Sequence, residues 1–187
     1  MPQLVDSVLA PGSLARLTQP TLDAGDFVLR PWAAADADAV AQAHTDPAIQ
    51  HWHARSMTRD EADAWVARWP QRWQAETGAG WAIAGDGLLG QISLRRIDLA
   101  EGDGEISYWV LPSARGRRVA SRALEAMTRW AFAELGLHRI EVRHSTRNEP
   151  SCKVAERAGY AYEGTLRSQA LHADGWHDMH LHARIAG

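Results

Sequence analysis

Residues 105–121, EISYWVLPSARGRRVAS, constrain this chain more than any other stretch. The first six alternate, with Ile106, Tyr108 and Val110 on one face of a strand and Glu105, Ser107 and Trp109 on the other. Pro112 has no backbone N–H to give a sheet ladder and stops the strand. An Arg/Gly turn follows. Beyond it Ala120, Ala123, Leu124, Met127, Ala131 and Leu135 recur at helical spacing, up to a stop at Gly136. A strand that feeds a helix through such a turn aims free backbone N–H groups, and the positive end of the helix dipole, at one point. That arrangement suits phosphate, and Arg115, Arg117 and Arg118 add cations to it.

The rest of the chain supplies the other layers of an α/β (or α+β) domain. Residues 1–20 read as an irregular arm and residues 21–187 as one domain. Residues 27–30 are a short strand stopped by Pro31, and 33–44 an alanine-rich helix with Asp36 and Asp38 near its start. Asp46-Pro47 reads as a break. Thr58 with Glu61 three residues on is a capping box, and it opens a helix that Pro70 should kink, end or restart. Residues 81–84 and 88–97 form a hairpin about Gly85-Asp86-Gly87. Residues 139–144 are a strand with Ile140 and Val142 inward, and 151–158 a short helix closed by Gly159. Two strands, 162–171 and 176–185, meet at Ala173-Asp174-Gly175.

Composition narrows the function. A net charge of −3 offers no global attraction to nucleic acid or an anionic membrane, and it modestly favours cationic partners. The single cysteine, Cys152, rules out an internal disulfide and suits a reducing cytoplasm. Residues 1–20 lack the basic start and apolar run of a signal peptide, and no run approaches the ~18 apolar residues of a membrane span. Nine tryptophans against two phenylalanines point to an aromatic pocket or interface, with Trp52, Trp65, Trp69, Trp73 and Trp81 as candidates. A cytoplasmic monomer or homodimer is expected.

The run Arg115-Gly116-Arg117-Arg118-Val119-Ala120, after Leu111-Pro112, resembles the cofactor motif of the GNAT acyl-CoA-dependent N-acyltransferases, Gln/Arg-x-x-Gly-x-Gly/Ala. Arg118 stands where the motif has its middle glycine, and arginine there implies an ordinary negative φ. A second segment, Asn148-x-x-Ser151 followed by Ala155 to Tyr160 and Glu163-Gly164, resembles a later motif of the same family. The pattern from Gly104 to Val110 and the terminal Asp174-Gly175…Asp178 are most similar to its RimJ/RimL-type branch, which contains ribosomal-protein N-terminal acetyltransferases.

The resemblance implies a GNAT fold, a mixed sheet splayed at the cofactor site with helices on both faces. It implies acetyl-CoA, or another acyl-CoA such as succinyl-CoA, as co-substrate, and direct transfer to a primary amine in a ternary complex. The amine is a peptide N-terminus, a lysine or a small molecule such as an antibiotic amine. Cofactor contacts fall on Trp109, Val110 and Leu111, on Arg115, Gly116, Arg117, Arg118, Val119, Ala120 and Ser121, and on Asn148 and Ser151. Glu105 takes the place of a substrate-side base for an amine whose pKa is about 8 or 10.4. The backbone N–H near Val110, freed where Pro112 interrupts pairing, is the expected oxyanion donor. Ser151 donates to the departing sulfur, because the tyrosine many members carry seven residues after the asparagine is Ala155 here. His51, Trp52 and His53 lie in the loop after the first helix, where the family builds its acceptor wall. His180 and His182 share one strand face, but with no cysteine or carboxylate completing a set beside them or His177, no metal is expected. Arg118 and Ala155 also leave open a non-catalytic CoA-binding sensor.

Overall fold

The computed structural model describes residues 4–187. Eight strands make one sheet: β1 (Leu22–Asp23), β2 (Val28–Pro31), β3 (Ala79–Gly85), β4 (Gly87–Asp98), β5 (Asp103–Val110), β6 (Arg139–Ser145), β7 (Ala161–His172) and β8 (Gly175–Ile185). Their order is β1-β2-β3-β4-β5-β6-β8-β7. Every neighbouring pair is antiparallel except β5 and β6. That parallel pair needs a crossover, and α4 (Val119–Trp130) supplies it. The other helices are α1 (Ala37–Ala43), α2 (Pro47–His53), α3 (Arg59–Gln74) and α5 (Glu149–Arg157).

Where β5 and β6 part decides the rest. They pair from Asp103↔Arg139 to Ile106↔Val142 and no further. Beyond that point residues 107–110 pair only with β4, and 143–145 only with β8. The sheet therefore opens into a wedge between its two central strands, as the resemblance implied.

Two local expectations are corrected. The break at Asp46-Pro47 follows the end of α1, but it opens a further helix rather than a loop: the Asp46 carboxylate accepts the Ile49 N–H at 2.9 Å, and Pro47 sits at the first helical position, where its missing N–H costs nothing. His51, Trp52 and His53 are consequently the last turn of α2, not a loop. Pro70 lies inside α3 without ending it. The burial of Trp69 and Trp73 on that helix outweighs the ~3 kcal/mol such a proline costs.

The tryptophans divide. Trp73, Trp81 and Trp130 stack against one another in the main core, with ring centroids 5.1 to 5.9 Å apart. The indoles of Trp73 and Trp81 donate to the carbonyls of Leu17 and Pro20, which ties the N-terminal segment to the sheet. The same segment buries Leu14 completely, and its Gly12, Leu14 and Ala15 N–H groups donate to the Glu76 carboxylate. Trp52, Trp65, Trp69 and Trp109 instead line the space described next.

Candidate active site

A cavity of about 630 Å³ runs through the wedge. Ser107, Trp109, Arg143 and Ser145 bound it on one face of the sheet; Tyr108, His144, Asn148 and Ser151 bound it where the strands part. The ladder shows which backbone groups meet it. The Leu111 N–H donates to the Leu89 carbonyl at 2.8 Å, so Gly90↔Val110 is a non-hydrogen-bonded pair of β4 and β5. The Val110 N–H therefore turns away from β4, toward the gap that β6 has left. The divergence of β6 frees it, rather than the interruption at Pro112.

The turn into α4 is built from left-handed residues. Gly116 has φ +77° and Arg118 φ +59°. The negative φ expected of an arginine at 118 is thus not adopted. The turn geometry overrides a preference of ~1–2 kcal/mol and keeps the glycine-like path. Arg118 occupies the N-cap position of α4 and makes no side-chain cap, so the first N–H groups of the helix, from Val119, Ala120 and Ser121, remain directed at the turn. Arg115 is 2.6 Å from Asp46, the cap of α2, and its guanidinium holds that carboxyl below the usual range. Arg117 lies 3.8 Å from Asp26. Leu111 packs with Trp109 and Ile49 beside the gap.

On the α5 side Asn148 is the N-cap, and its Oδ1 accepts the Ser151 N–H at 3.2 Å. Ser151 thus sits in the first turn with its hydroxyl left out of the cap, and Oγ is hydrogen-bonded to the Tyr108 Oη at 2.8 Å. Burial raises the Tyr108 phenol well above its ordinary value, which keeps it a neutral donor. The alternation placed Tyr108 on the strand face of Ile106 and Val110 but gave no sign of this bond.

The opposite side is cationic. Arg55, Arg68, Arg72, Arg95 and Arg143 line the cavity, and no aspartate or glutamate does. The local field runs opposite to the chain's net charge. Glu105 shares the face of Ser107 and Trp109, but it lies outside the lining, 3.5 Å from Arg95 and 3.9 Å from Arg96. Trp52 and His53 line the cavity, while His51 stacks behind Trp52 at 4.4 Å. Burial pushes the His53 imidazole down to about 4, and His44, beside Trp109, is lowered for the same reason.

The histidines of β8 split by face. His177 is buried and saturated: Nδ1 is 2.8 Å from Ser145 Oγ and Nε2 is 2.8 Å from Asp174 Oδ1. With Nε2 protonated toward that carboxylate, which only accepts, Nδ1 takes the Ser145 proton; the Arg147 guanidinium also stands 3.2 Å from Nε2 and 3.1 Å from Asp174 Oδ2. The backbone N–H of Arg147 donates to the same Ser145 oxygen at 3.1 Å. His180 and His182, on the other face, meet two residues the linear reading did not join to them, His144 from β6 and Cys152 from α5. The expectation that no further ligand type stands beside them is corrected.

A family profile described as acetyltransferase (GNAT) domain matches residues 26–161. Ribosomal-protein-serine acetyltransferase of Escherichia coli (strain K12) is 36% identical over 101 residues, 54% of this chain and 56% of that one. YdaF of Bacillus subtilis (strain 168) is 34% identical over 90 residues, 48% of this chain and 49% of that one. The chain thus spans about half the length of the curated relatives it matches. Among solved structures, RimL, a ribosomal L7/L12 alpha-N-protein acetyltransferase in complex with coenzyme A, superposes with a TM-score of 0.81 at 21% identity, over 89% of this chain and 98% of that one. The microcin C7 self-immunity acetyltransferase MccE, in complex with acetyl-CoA and AMP, gives 0.77 at 18% identity, over 86% and 92%. At these identities the two structures speak for the fold. Among the described residues no helix is long and apolar enough to cross a membrane.

Proposed function

This chain belongs to the GNAT acetyltransferase family, and on that premise we propose that it transfers an acetyl group from acetyl-CoA to the N-terminal amine of an acidic peptide. The observation that carries the reading is the wedge itself, with the Val110 N–H turned into it and the Ser151 hydroxyl 2.8 Å from Tyr108 beside it. Pantetheine enters between β5 and β6, with Trp109, Val110, Leu111 and Asn148 along it. The pyrophosphate rests on the turn and first helical N–H groups from Arg115 to Ser121.

The neutral amine attacks the thioester carbon. A C–N bond forms and the oxygen gains charge, which the Val110 N–H stabilises. The C–S bond then breaks and the carbonyl re-forms; the Ser151 hydroxyl, held by Tyr108, hydrogen-bonds the departing thiolate, which takes its proton from solvent as coenzyme A leaves. The proton lost by nitrogen passes to Ser145 Oγ as Ser145 hands its own to His177, whose imidazolium Asp174 stabilises. Glu105, read from the sequence as the base, lies off the cavity and is assigned to holding Arg95. It is a positioning residue.

Of the five arginines lining the cavity, Arg95 and Arg143 are paired with Glu105 and Glu141; Arg55, Arg68 and Arg72, which have no carboxylate partner among the described residues, favour an anionic acceptor over the cationic one that net charge suggested. The Escherichia coli relative, a ribosomal-protein-serine acetyltransferase, supports a protein amine. Mass spectrometry of peptides incubated with enzyme and acetyl-CoA tests the reading, with thiol release followed in parallel. Acetylation confined to the peptide α-amine is expected. Coenzyme A binding without acetylated product from any amine would sink the transferase and favour a sensor. Product from small-molecule amines alone would redirect the acceptor.

A further inference from the structure

We propose that His144, Cys152, His180 and His182 form a binding site for one zinc(II) ion beneath the first turn of α5. Strand register brings the histidines together. In the β6–β8 ladder His144 pairs with His180 and Val142 with His182, so all three imidazoles stand on the sheet face that α5 covers. Cys152 points down from α5 onto them, its Sγ 3.7 Å from His182 Nε2.

Among the described residues, the four possible ligand atoms lie within 4.8 Å of one another. A tetrahedral zinc with Zn–N near 2.1 Å and Zn–S near 2.3 Å needs ligand atoms roughly 3.3–3.7 Å apart. The Cys152–His182 separation already fits, and side-chain rotations of about 1 Å bring in the rest.

The hydrogen bonding leaves this spot incomplete. His144 Nε2, His180 Nδ1 and His182 Nδ1 are buried with no partner. An unsatisfied buried polar atom ordinarily costs about 1–3 kcal/mol; a metal beside the Cys152 sulfur and His182 Nε2 would satisfy His144 Nε2 and His180 Nδ1, with His182 Nδ1 left on the outer side of its ring. His144 Nδ1 is held 2.9 Å from the Ser145 carbonyl, which fixes the proton there and leaves the Nε2 lone pair available, the outer bond a metal-bound imidazole usually makes. One thiolate with three imidazoles is a donor set of borderline softness that suits zinc.

On binding, the Cys152 S–H bond is exchanged for an S–Zn bond and one proton leaves. Glu156, whose Oε1 is 3.5 Å from the sulfur, is placed to accept it and to offset the remaining positive charge. Cys152 follows Ser151 directly, so the metal would pin the turn that presents Ser151 to Tyr108. The site requires no acyl transfer, and its test is independent of that reading.

Full-length protein stripped with a chelator and dialysed against Zn²⁺ should retain one zinc per chain by elemental mass spectrometry, and melt at a higher temperature than the stripped form. Co²⁺ in its place should show a sulfur-to-cobalt charge-transfer band and tetrahedral d–d bands. Cys152→Ser should abolish the charge-transfer band and weaken zinc retention at least ~100-fold, since loss of a ligand exceeds the 10–100-fold typical of outer partners. His180→Asn, at a less buried ligand, should weaken it likewise and guards against a folding defect in the first variant. Less than a tenth of an equivalent of zinc on the wild type, or wild-type retention and melting shift in both variants, overturns the proposal.

Discussion

The two faces of the sheet at the wedge are made from the same few residue types and are finished differently. On the cavity side of β6 and β8, Ser145 and His177 complete a chain to Asp174 in which every polar atom has a partner. On the α5 side, one residue from Ser145 on β6 and three from His177 on β8, His144, His180 and His182 meet with three ring nitrogens unpartnered. Because side chains alternate along a strand, an odd number of steps separates the hydrogen-bonded Ser145–His177–Asp174 chain from the histidine cluster on the other face. Buried histidine by itself therefore says little; what its second nitrogen finds decides between structure, proton transfer and metal binding.

The contrast can be broken by substitution on each face. The largest effect is expected at Ser151, on the cofactor side. Ser151→Ala should lower kcat by about 10²-fold with little change in the KM for acetyl-CoA, as removal of a hydrogen-bond donor to the departing thiolate does; equal kcat would remove Ser151 from the chemistry. Ser145→Ala, on the other face, should cost about 10-fold in kcat and steepen the fall of rate below pH 8, where the amine is protonated, because the relay is lost while water still reaches the amine. An unchanged pH–rate profile would disconnect His177 from proton removal.

A smaller effect tests the electrostatics of the cavity wall. His53 and His44 are held neutral by burial, His53 down to about 4. The unfolded chain takes up protons near pH 6.5 that the folded chain refuses, so stability is full above that pH and is lost as pH falls toward 4. Thermal melts across that window should show a decline that His53→Gln flattens; an unaltered slope would assign the decline to other groups. The smallest change is expected in the turn. Arg118→Gly removes a left-handed arginine and should stabilise the fold by up to ~1 kcal/mol in denaturant titration without weakening coenzyme A binding. Weakened binding would mean that the Arg118 side chain, not only its backbone, serves the cofactor.

The same contrast explains what could be read from the sequence. The alternation in residues 105–110 and the Arg/Gly turn are local patterns, and they located the central strand, the α4 N-terminus and the side of the sheet on which Tyr108 and Ser107 each lie. The start of α2 was misread because Asp-Pro serves a break and a helix cap equally well until the Ile49 N–H is seen on Asp46. The path at Arg118 was misread because intrinsic φ preference yields to a turn fixed at both ends. The proposed zinc ligands could not be assembled, since Cys152 and His182 are thirty residues apart and meet only through the β6–β8 register and the seating of α5. The cationic wall likewise gathers arginines from α3, β4, β6 and the segment after α2, and a net charge of −3 averages it away.

The central claim is that the wedge joins a cofactor side to an acceptor side built for negative charge. The kcat/KM for acetylation of two peptides that share an N-terminal residue and differ only in acidic or basic residues behind it measures this directly, in the wild type and in Arg68→Gln. We expect the wild type to favour the acidic peptide by at least ~10-fold, about 1.4 kcal/mol, and Arg68→Gln to bring the ratio toward one with the KM for acetyl-CoA unchanged. A preference for the basic peptide, or a ratio indifferent to Arg68 and near one, would contradict it.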